Sequence, residues 1–345
     1  MADLFADLIG QPQAVVLLQA ALERRRLAPA YLFAGPEGVG RRLAVLRFLE
    51  GVLAGPEGSA SVRRRLAQGN HPDLLWVEPT YQHQGQLFTA AQAREQGLSR
   101  RALPQLRLEQ VRELTRFLAR RPLEADRCLV VVDTAEAMAE GAANALLKTL
   151  EEPGDSLLVL ISAAPEQLLS TIRSRCQQVP FARLSPALLA QVLASLPPTP
   201  PDDPPMADPP GLLDLAAGSP GALLEHRRQW QALPAGVAER LLDLRPDPLE
   251  ALALARDLTE ALDAEQQLWL LDWWQWQLWH RHHQPQSLGR LELLRRQLLA
   301  YVQPRLAWEV ALLDLGLQQR GLLGQGSEER IRPRPVPGAA APASH

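Results

Sequence analysis

Two unbroken apolar runs organise the first half of the chain. Leu129-Val130-Val131-Val132 ends in Asp133, and Leu157-Leu158-Val159-Leu160-Ile161 ends in Ser162. Continuous runs with β-branched content fit strands covered on both faces. A third run, Tyr31-Leu32-Phe33-Ala34, leads into a glycine-rich loop. Helical spacing lies between these runs, as in Ala142 to Leu150, so helix and strand alternate over residues 1–183. That alternation predicts an α/β domain with a parallel sheet and right-handed crossovers. After residue 184 no strand pattern follows, and residues 235–330 are leucine-rich at helical spacing, which predicts an all-helical region.

Composition marks the joints. Residues 197–210 hold eight prolines in fourteen positions, which suits neither a helix nor an internal strand and predicts an extended loop. A weaker break falls at Leu233-Pro234-Ala235-Gly236, and residues 331–345, rich in proline and alanine, read as a disordered tail. The expected division is therefore 1–183, 184–234, 235–330 and the tail 331–345. Residues 80–104, with the glutamine-rich Gln82 to Gln86, read as an insertion.

The chain of 345 residues is 46% hydrophobic and 22% charged, the balance of a folded globular protein of two or three domains. No apolar stretch approaches the roughly 18 residues of a membrane span. The acidic opening, Met1 to Asp7, lacks the basic-then-apolar pattern of a signal peptide, so the expectation is a cytoplasmic protein without a membrane partner. The two cysteines, Cys128 and Cys176, are too few for a disulfide scaffold or a four-thiolate zinc site. A net charge of −3 argues against binding nucleic acid by bulk electrostatics. Lys148 is the single lysine among 36 cationic residues.

That scarcity matters at the loop Gly35-Pro36-Glu37-Gly38-Val39-Gly40-Arg41-Arg42. It follows an apolar run and precedes the helical Leu43-Ala44-Val45-Leu46, the setting in which Gly35, Gly38 and Gly40 could let backbone N–H groups converge on a phosphate. A working phosphate loop then needs a lysine for the β- and γ-phosphates and a hydroxyl for Mg²⁺. Arg41 and Arg42 stand there instead, and arginine cannot ligate a metal. Asp133 occupies the place of a Mg²⁺-organising carboxylate, but Thr134 follows where a water-activating glutamate belongs, and threonine is a poor base. Glu136, two residues on, is expected to point elsewhere. The loop reads either as a plain strand-to-helix turn or as a weak site for ATP or ADP, and hydrolysis is not expected.

Longer motifs carry a resemblance. Ala142-Ala143-Asn144-Ala145-Leu146-Leu147-Lys148-Thr149-Leu150-Glu151-Glu152-Pro153 resembles the helix after the acidic motif in bacterial clamp-loader subunits. Thr171-Ile172-Arg173-Ser174-Arg175-Cys176 resembles their Ser-Arg-Cys motif, and Phe5 to Gln11 resembles their opening segment. Gly69-Asn70-His71-Pro72-Asp73 and the degenerate loop are similar to the delta prime family of DNA polymerase III. The resemblance covers residues 1 to about 183 well and thins beyond.

It implies an AAA+ domain with a P-loop fold, a small helical lid and a helical collar, in an assembly that opens a sliding clamp and places it on primed-template DNA. The implied partners are gamma/tau ATPase subunits and a delta subunit. Arg175 would be an arginine finger acting in trans on a neighbour's ATP, with Ser174 and Cys176 as its motif companions and Ser162 nearest to a nucleotide-sensing position. Relatives often carry a four-cysteine zinc module after the phosphate-loop helix; Gly55 to Gly69 has no cysteine, so no zinc is expected. Active relatives also carry an arginine shortly after a Gly-Ser pair, and Gly218-Ser219-Pro220-Gly221 has none.

Plainer readings stand beside these. Arg173 and Arg175 have the look of surface arginines in weak ion pairs. Cys176 and Cys128 read as small buried hydrophobes, and Glu151-Glu152 as a solvated helix end stopped by Pro153. Five tryptophans lie between Trp269 and Trp279; the spacing of Trp269, Trp273 and Trp276 predicts one buried helical face, which could also serve as a packing surface for other subunits. An independent ATPase acting as a nucleotide switch and a helix-rich DNA-binding factor are the other readings. The first needs turnover that Arg41, Arg42 and Thr134 argue against, and the second lacks a basic surface or a recognition motif.

Overall fold

In the computed structural model the chain forms two compact units, Met1–Ala232 and Leu233–His345. The structure describes residues 4–96, 103–196, 208–283, 285–300 and 302–319. Most of the proline-rich stretch, at 197–207, and the tail 331–345 lie outside the described residues.

The first unit begins with α1 (Pro12–Glu23), β1 (Ala30–Ala34), α2 (Arg41–Ala54), α3 (Ala60–Ala67) and β2 (Leu74–Val77). A hairpin of β3 (Thr80–His83) and β4 (Gln86–Thr89) follows, with α4 (Ala90–Glu95) and α5 (Leu108–Leu118). Then come β5 (Leu129–Val132), α6 (Glu140–Glu151), β6 (Leu157–Ser162), α7 (Ser170–Arg173) and β7 (Gln177–Pro180). The helices α8 (Pro186–Ser195), α9 (Leu212–Ala216) and α10 (Pro220–Gln231) complete it.

Five strands form a sheet in the order β2-β5-β6-β1-β7, every neighbouring pair parallel. The apolar runs supply the centre of this sheet, and their alternation feeds two cores. Leu129, Val131, Leu157, Val159, Ile161, Tyr31 and Phe33 face one side with Phe48 and Val45 of α2 and Leu18 of α1. Val130, Val132, Leu158, Leu160 and Leu32 face the other, with Val111 and Leu114 of α5 and Leu146 of α6. Period-two side chains buried on both faces are what a parallel sheet flanked by helices requires.

One of the five strands, β7, escapes the apolar-run pattern, with only Val179 buried; β2 is apolar throughout, Leu74-Leu75-Trp76-Val77, but mostly half-buried. Both lie at sheet edges, where burial is incomplete. The β3–β4 hairpin lies within the segment read as an insertion; it is tied back through backbone bonds between Thr80 and Gln105.

The second unit is helical throughout its described residues: α11 (Val237–Leu242), α12 (Pro248–Ala261), α13 (Ala264–His282), α14 (Pro285–Leu299) and α15 (Pro304–Gln319). Asp263 caps α13, accepting from the Gln266 amide at 2.9 Å, while the Gln266 side chain returns to the Asp263 amide at 3.0 Å. The tryptophan face differs from its predicted set. Trp269, Trp273 and Trp274 are buried, whereas Trp276 is half-buried and stacks on His280 at 3.8 Å. Trp274 takes the inner position because its ring stacks on Trp308 of α15 at 6.3 Å and its indole N–H donates to the Leu241 carbonyl at 3.1 Å. Among the described residues no helix is long and apolar enough to cross a membrane.

Candidate functional site

Three adjacent strands, β5, β6 and β1, bring Asp133, Ser162 and the glycine loop to their carboxyl ends, where open parallel sheets place ligand sites. The loop is held in shape by its glycines. Gly35 and Gly38 have φ of 152° and 73°. A Cβ on Gly35 would overlap the Phe181 carbonyl, and one on Gly38 would lie 2.6 Å from Ser219 Oγ. The Gln11 amide adds a tie, donating to the carbonyls of Val39 at 3.2 Å and Ala182 at 2.8 Å.

Ser219 and Gly221 open α10 directly on this loop. The Ser219 hydroxyl donates to the Glu37 carbonyl at 2.7 Å and accepts from the Ala222 amide at 3.1 Å, so one side chain caps the helix and docks it. The Gly221 amide donates to the Gly38 carbonyl at 2.9 Å. A Cβ on Gly221 would come within 2.7 Å of Gly38 Cα. The Gly-Ser-Pro-Gly segment shows a helix start in sequence, but nothing in it reveals that the start rests on residues 37 and 38.

Arg41 and Arg42 lead into α2 with different fates. Arg41 is only 8% exposed, and its Nε and Nη1 have no hydrogen-bond partner. Burial draws its pKa below the ordinary value, against the opposing charges of Glu136, Glu37 and Asp133. Arg42 turns to the surface: its Nη1 lies 2.8 Å from Glu78 and 3.4 Å from Asp133, and its guanidinium sits over the Trp76 ring at 4.5 Å. Burial lifts the Asp133 carboxyl above the usual carboxylate range, Arg42 pulls it back, and Glu78 adds to the rise. Glu78 has no signal of its own in the sequence beyond following β2.

Thr134 has φ of 50°, and its amide donates to Asp133 Oδ1 at 2.9 Å. Ser162 is fully buried with its hydroxyl unpartnered. Glu136 lies on a 3₁₀ turn over Ala135–Ala137 and accepts from the Ala163 amide, just past β6, at 2.8 Å. That bond commits one of its oxygens to backbone. A guanidinium 3.4 Å from the Asp133 carboxylate does not suit Mg²⁺, which is held by oxygen ligands. Among the described residues no group of three or more His, Cys, Asp or Glu could hold a metal ion.

Arg175 stands apart from this pocket, just beyond α7. Its side chain is exposed and bends back so that Nη1 donates to the Thr171 carbonyl at 3.0 Å and Nη2 to Glu151 Oε1 at 2.9 Å. Ser174 also donates to Thr171, at 3.2 Å. Cys176 is buried under them, and burial alone pushes its thiol up to about 12, which leaves no thiolate for chemistry near neutral pH. Glu151 and Glu152 are exposed at the end of α6, as a solvated helix end should be, but Glu151 has a specific partner in Arg175.

The family described as DNA polymerase III, delta subunit, matches residues 10–185, and the C-terminal domain family of cyanobacterial DNA polymerase III delta prime matches residues 187–315. DNA polymerase III subunit delta' of Pseudomonas aeruginosa is 33% identical over 316 residues, 86% of this chain and 86% of that protein. The chain belongs to the delta prime family of the DNA polymerase III clamp loader. Subunit delta' of Bacillus subtilis is 36% identical over 182 residues, 51% of this chain, and the match spans about half (49%) of that relative's length. The crystal structure of a DNA polymerase III gamma subunit-related protein from Thermotoga maritima shares the fold: TM-score 0.51 at 19% identity, over 89% of this chain and all of that one.

Proposed function

We propose that this clamp-loader subunit does not hydrolyse ATP and instead supplies Arg175 in trans to ATP bound by a neighbouring gamma/tau subunit. The observation that carries the reading is the contrast between its two sites. The place for a metal is taken by Arg42 on Asp133, while Arg175 is exposed at the end of a short helix with its planar fork held by a carbonyl and a carboxylate. A guanidinium so presented can take phosphate oxygens as it takes carboxylate oxygens. Charge that develops on the transferred phosphoryl group is then neutralised, an effect worth about 10³–10⁵ in rate for such fingers.

Residues 184–234 would act as the lid of the first domain and residues 235–330 as the collar that joins subunits. The subunit would work in the cytoplasm with gamma/tau and delta, helping to place the sliding clamp on primed-template DNA, with DNA contacts made through backbone phosphates in the assembled loader. Any ATP or ADP at its own loop would be held weakly.

The test is clamp- and DNA-stimulated ATP turnover of the reconstituted loader with wild-type subunit or Arg175→Ala. Turnover is expected to fall at least about tenfold with assembly intact. Unchanged turnover would make Arg175 structural and the subunit a scaffold.

A further inference from the structure

Arg175 is not free in the unassembled subunit. Its Nη2 is 2.9 Å from Glu151, whose carboxylate lies at the end of α6, and its Nη1 is fixed on the Thr171 carbonyl. The two contacts differ in kind. Thr171 offers a backbone oxygen only four residues back, which orients the guanidinium and leaves its charge intact. Glu151 comes from a separate helix and neutralises that charge.

A polyphosphate reaching for the same guanidinium would meet the carboxylate beside it. Like charges at such spacing repel, and both compete for the same N–H groups. An anion that engages Arg175 through the Nη2 side therefore works against the Arg175–Glu151 pair. Both side chains are exposed, so the pair is weak and an anion of higher charge can displace it.

We infer that Glu151 is a latch: it holds Arg175 on its own chain until a nucleotide phosphate on a neighbouring subunit displaces it. The inference rests on the reading of Arg175 as a finger and adds its regulation. Glu151 touches neither nucleotide nor reacting atoms; it is a positioning residue acting through Arg175. Its effect falls on how readily the arginine engages and leaves the engaged state unchanged.

The experiment titrates the subunit into its ATPase and delta partners with clamp and primed DNA, and reads both the concentration for half-maximal ATP turnover and the maximum. Wild type, Glu151→Gln, Glu151→Asp and Arg175→Ala are compared at low and high salt. Glu151→Gln is expected to lower the half-maximal concentration about two- to fivefold, the range an exposed ion pair can supply, with the maximum unchanged. The difference should shrink at high salt, and Glu151→Asp, which keeps the charge, should restore much of the wild-type value. If Arg175→Ala abolishes stimulation but Glu151→Gln leaves the half-maximal concentration unmoved, the latch is wrong and the finger stands. A lowered maximum in Glu151→Gln would make Glu151 an orienting group and also overturn the latch. If Arg175→Ala changes nothing, the finger reading fails and the latch goes with it.

Discussion

The guanidinium of Arg42 lies 3.4 Å from the carboxylate of Asp133 and 2.8 Å from that of Glu78. Arg42→Thr would remove the cation and supply the missing hydroxyl. The expected result is a gain of Mg²⁺-dependent ATP binding by calorimetry, with turnover still at background because Thr134 cannot act as a base. Unchanged binding with and without Mg²⁺ would show that the arginine is not what closes the site.

Gly38 faces the start of α10 so closely that a side chain has no room. Gly38→Ala combines a φ of 73° with a Cβ 2.6 Å from Ser219 Oγ. Backbone strain of this type costs about 1–3 kcal/mol, before any loss of the Ser219 bond. Urea unfolding should report a loss of that size or more, whereas Gly69→Ala, at a similar φ of 65° with nothing nearby, should lose only the strain.

Asp73 is a fully buried carboxylate that accepts from the amides of Leu123, Glu124 and Ala125 at 2.7–2.9 Å. Its burial would raise its pKa, but the three donors prevail and hold it below the ordinary aspartate value. The unfolded chain then binds more protons in that window, so this contribution is complete above the unfolded pKa and is lost as pH falls through the lowered folded one. Asp73→Asn should lower Tm at pH 7 and flatten the acid limb of the Tm–pH curve. A parallel curve would exclude the carboxylate as its source.

In the second unit the buried Trp308 indole donates to Gln267 Oε1 at 3.0 Å, and the Gln267 amide donates to the Leu262 carbonyl at 2.8 Å. Gln267→Leu keeps the volume and strands both partners. A buried unpaired group costs about 1–3 kcal/mol, so chemical denaturation should show that loss at least once, with the tryptophan fluorescence transition shifted.

The sheet centre was legible because strands buried on both faces are written as unbroken apolar runs; Val130 and Val131 point to opposite cores and both must be apolar. Gln177-Gln178-Val179-Pro180 was not, since an edge strand covered on one side needs a single buried residue. Around the loop, residue types at fixed local spacing pointed to Arg41, Arg42 and Asp133, while Arg175 was singled out by the family resemblance. Their partners were hidden by distance along the chain: Glu78 lies 36 residues from Arg42, and Ser219 lies 182 from Glu37. Trp274 replaced Trp276 in the core for the same reason, because Trp308, on another helix, decides which ring turns inward.

The seat of α10 on the loop is made from what two residues lack. Gly38 and Gly221 meet backbone to backbone, and a methyl on either would collide with the other or its neighbours. The Gly221 amide meets the Gly38 carbonyl there, and the Ser219 hydroxyl adds its bond to the Glu37 carbonyl. The fit needs the vacancy at both positions at once, and a change at one is not repaired by a change at the other. A loop with arginine at both 41 and 42 thus makes a strict demand at two other positions, written as a pair of empty places.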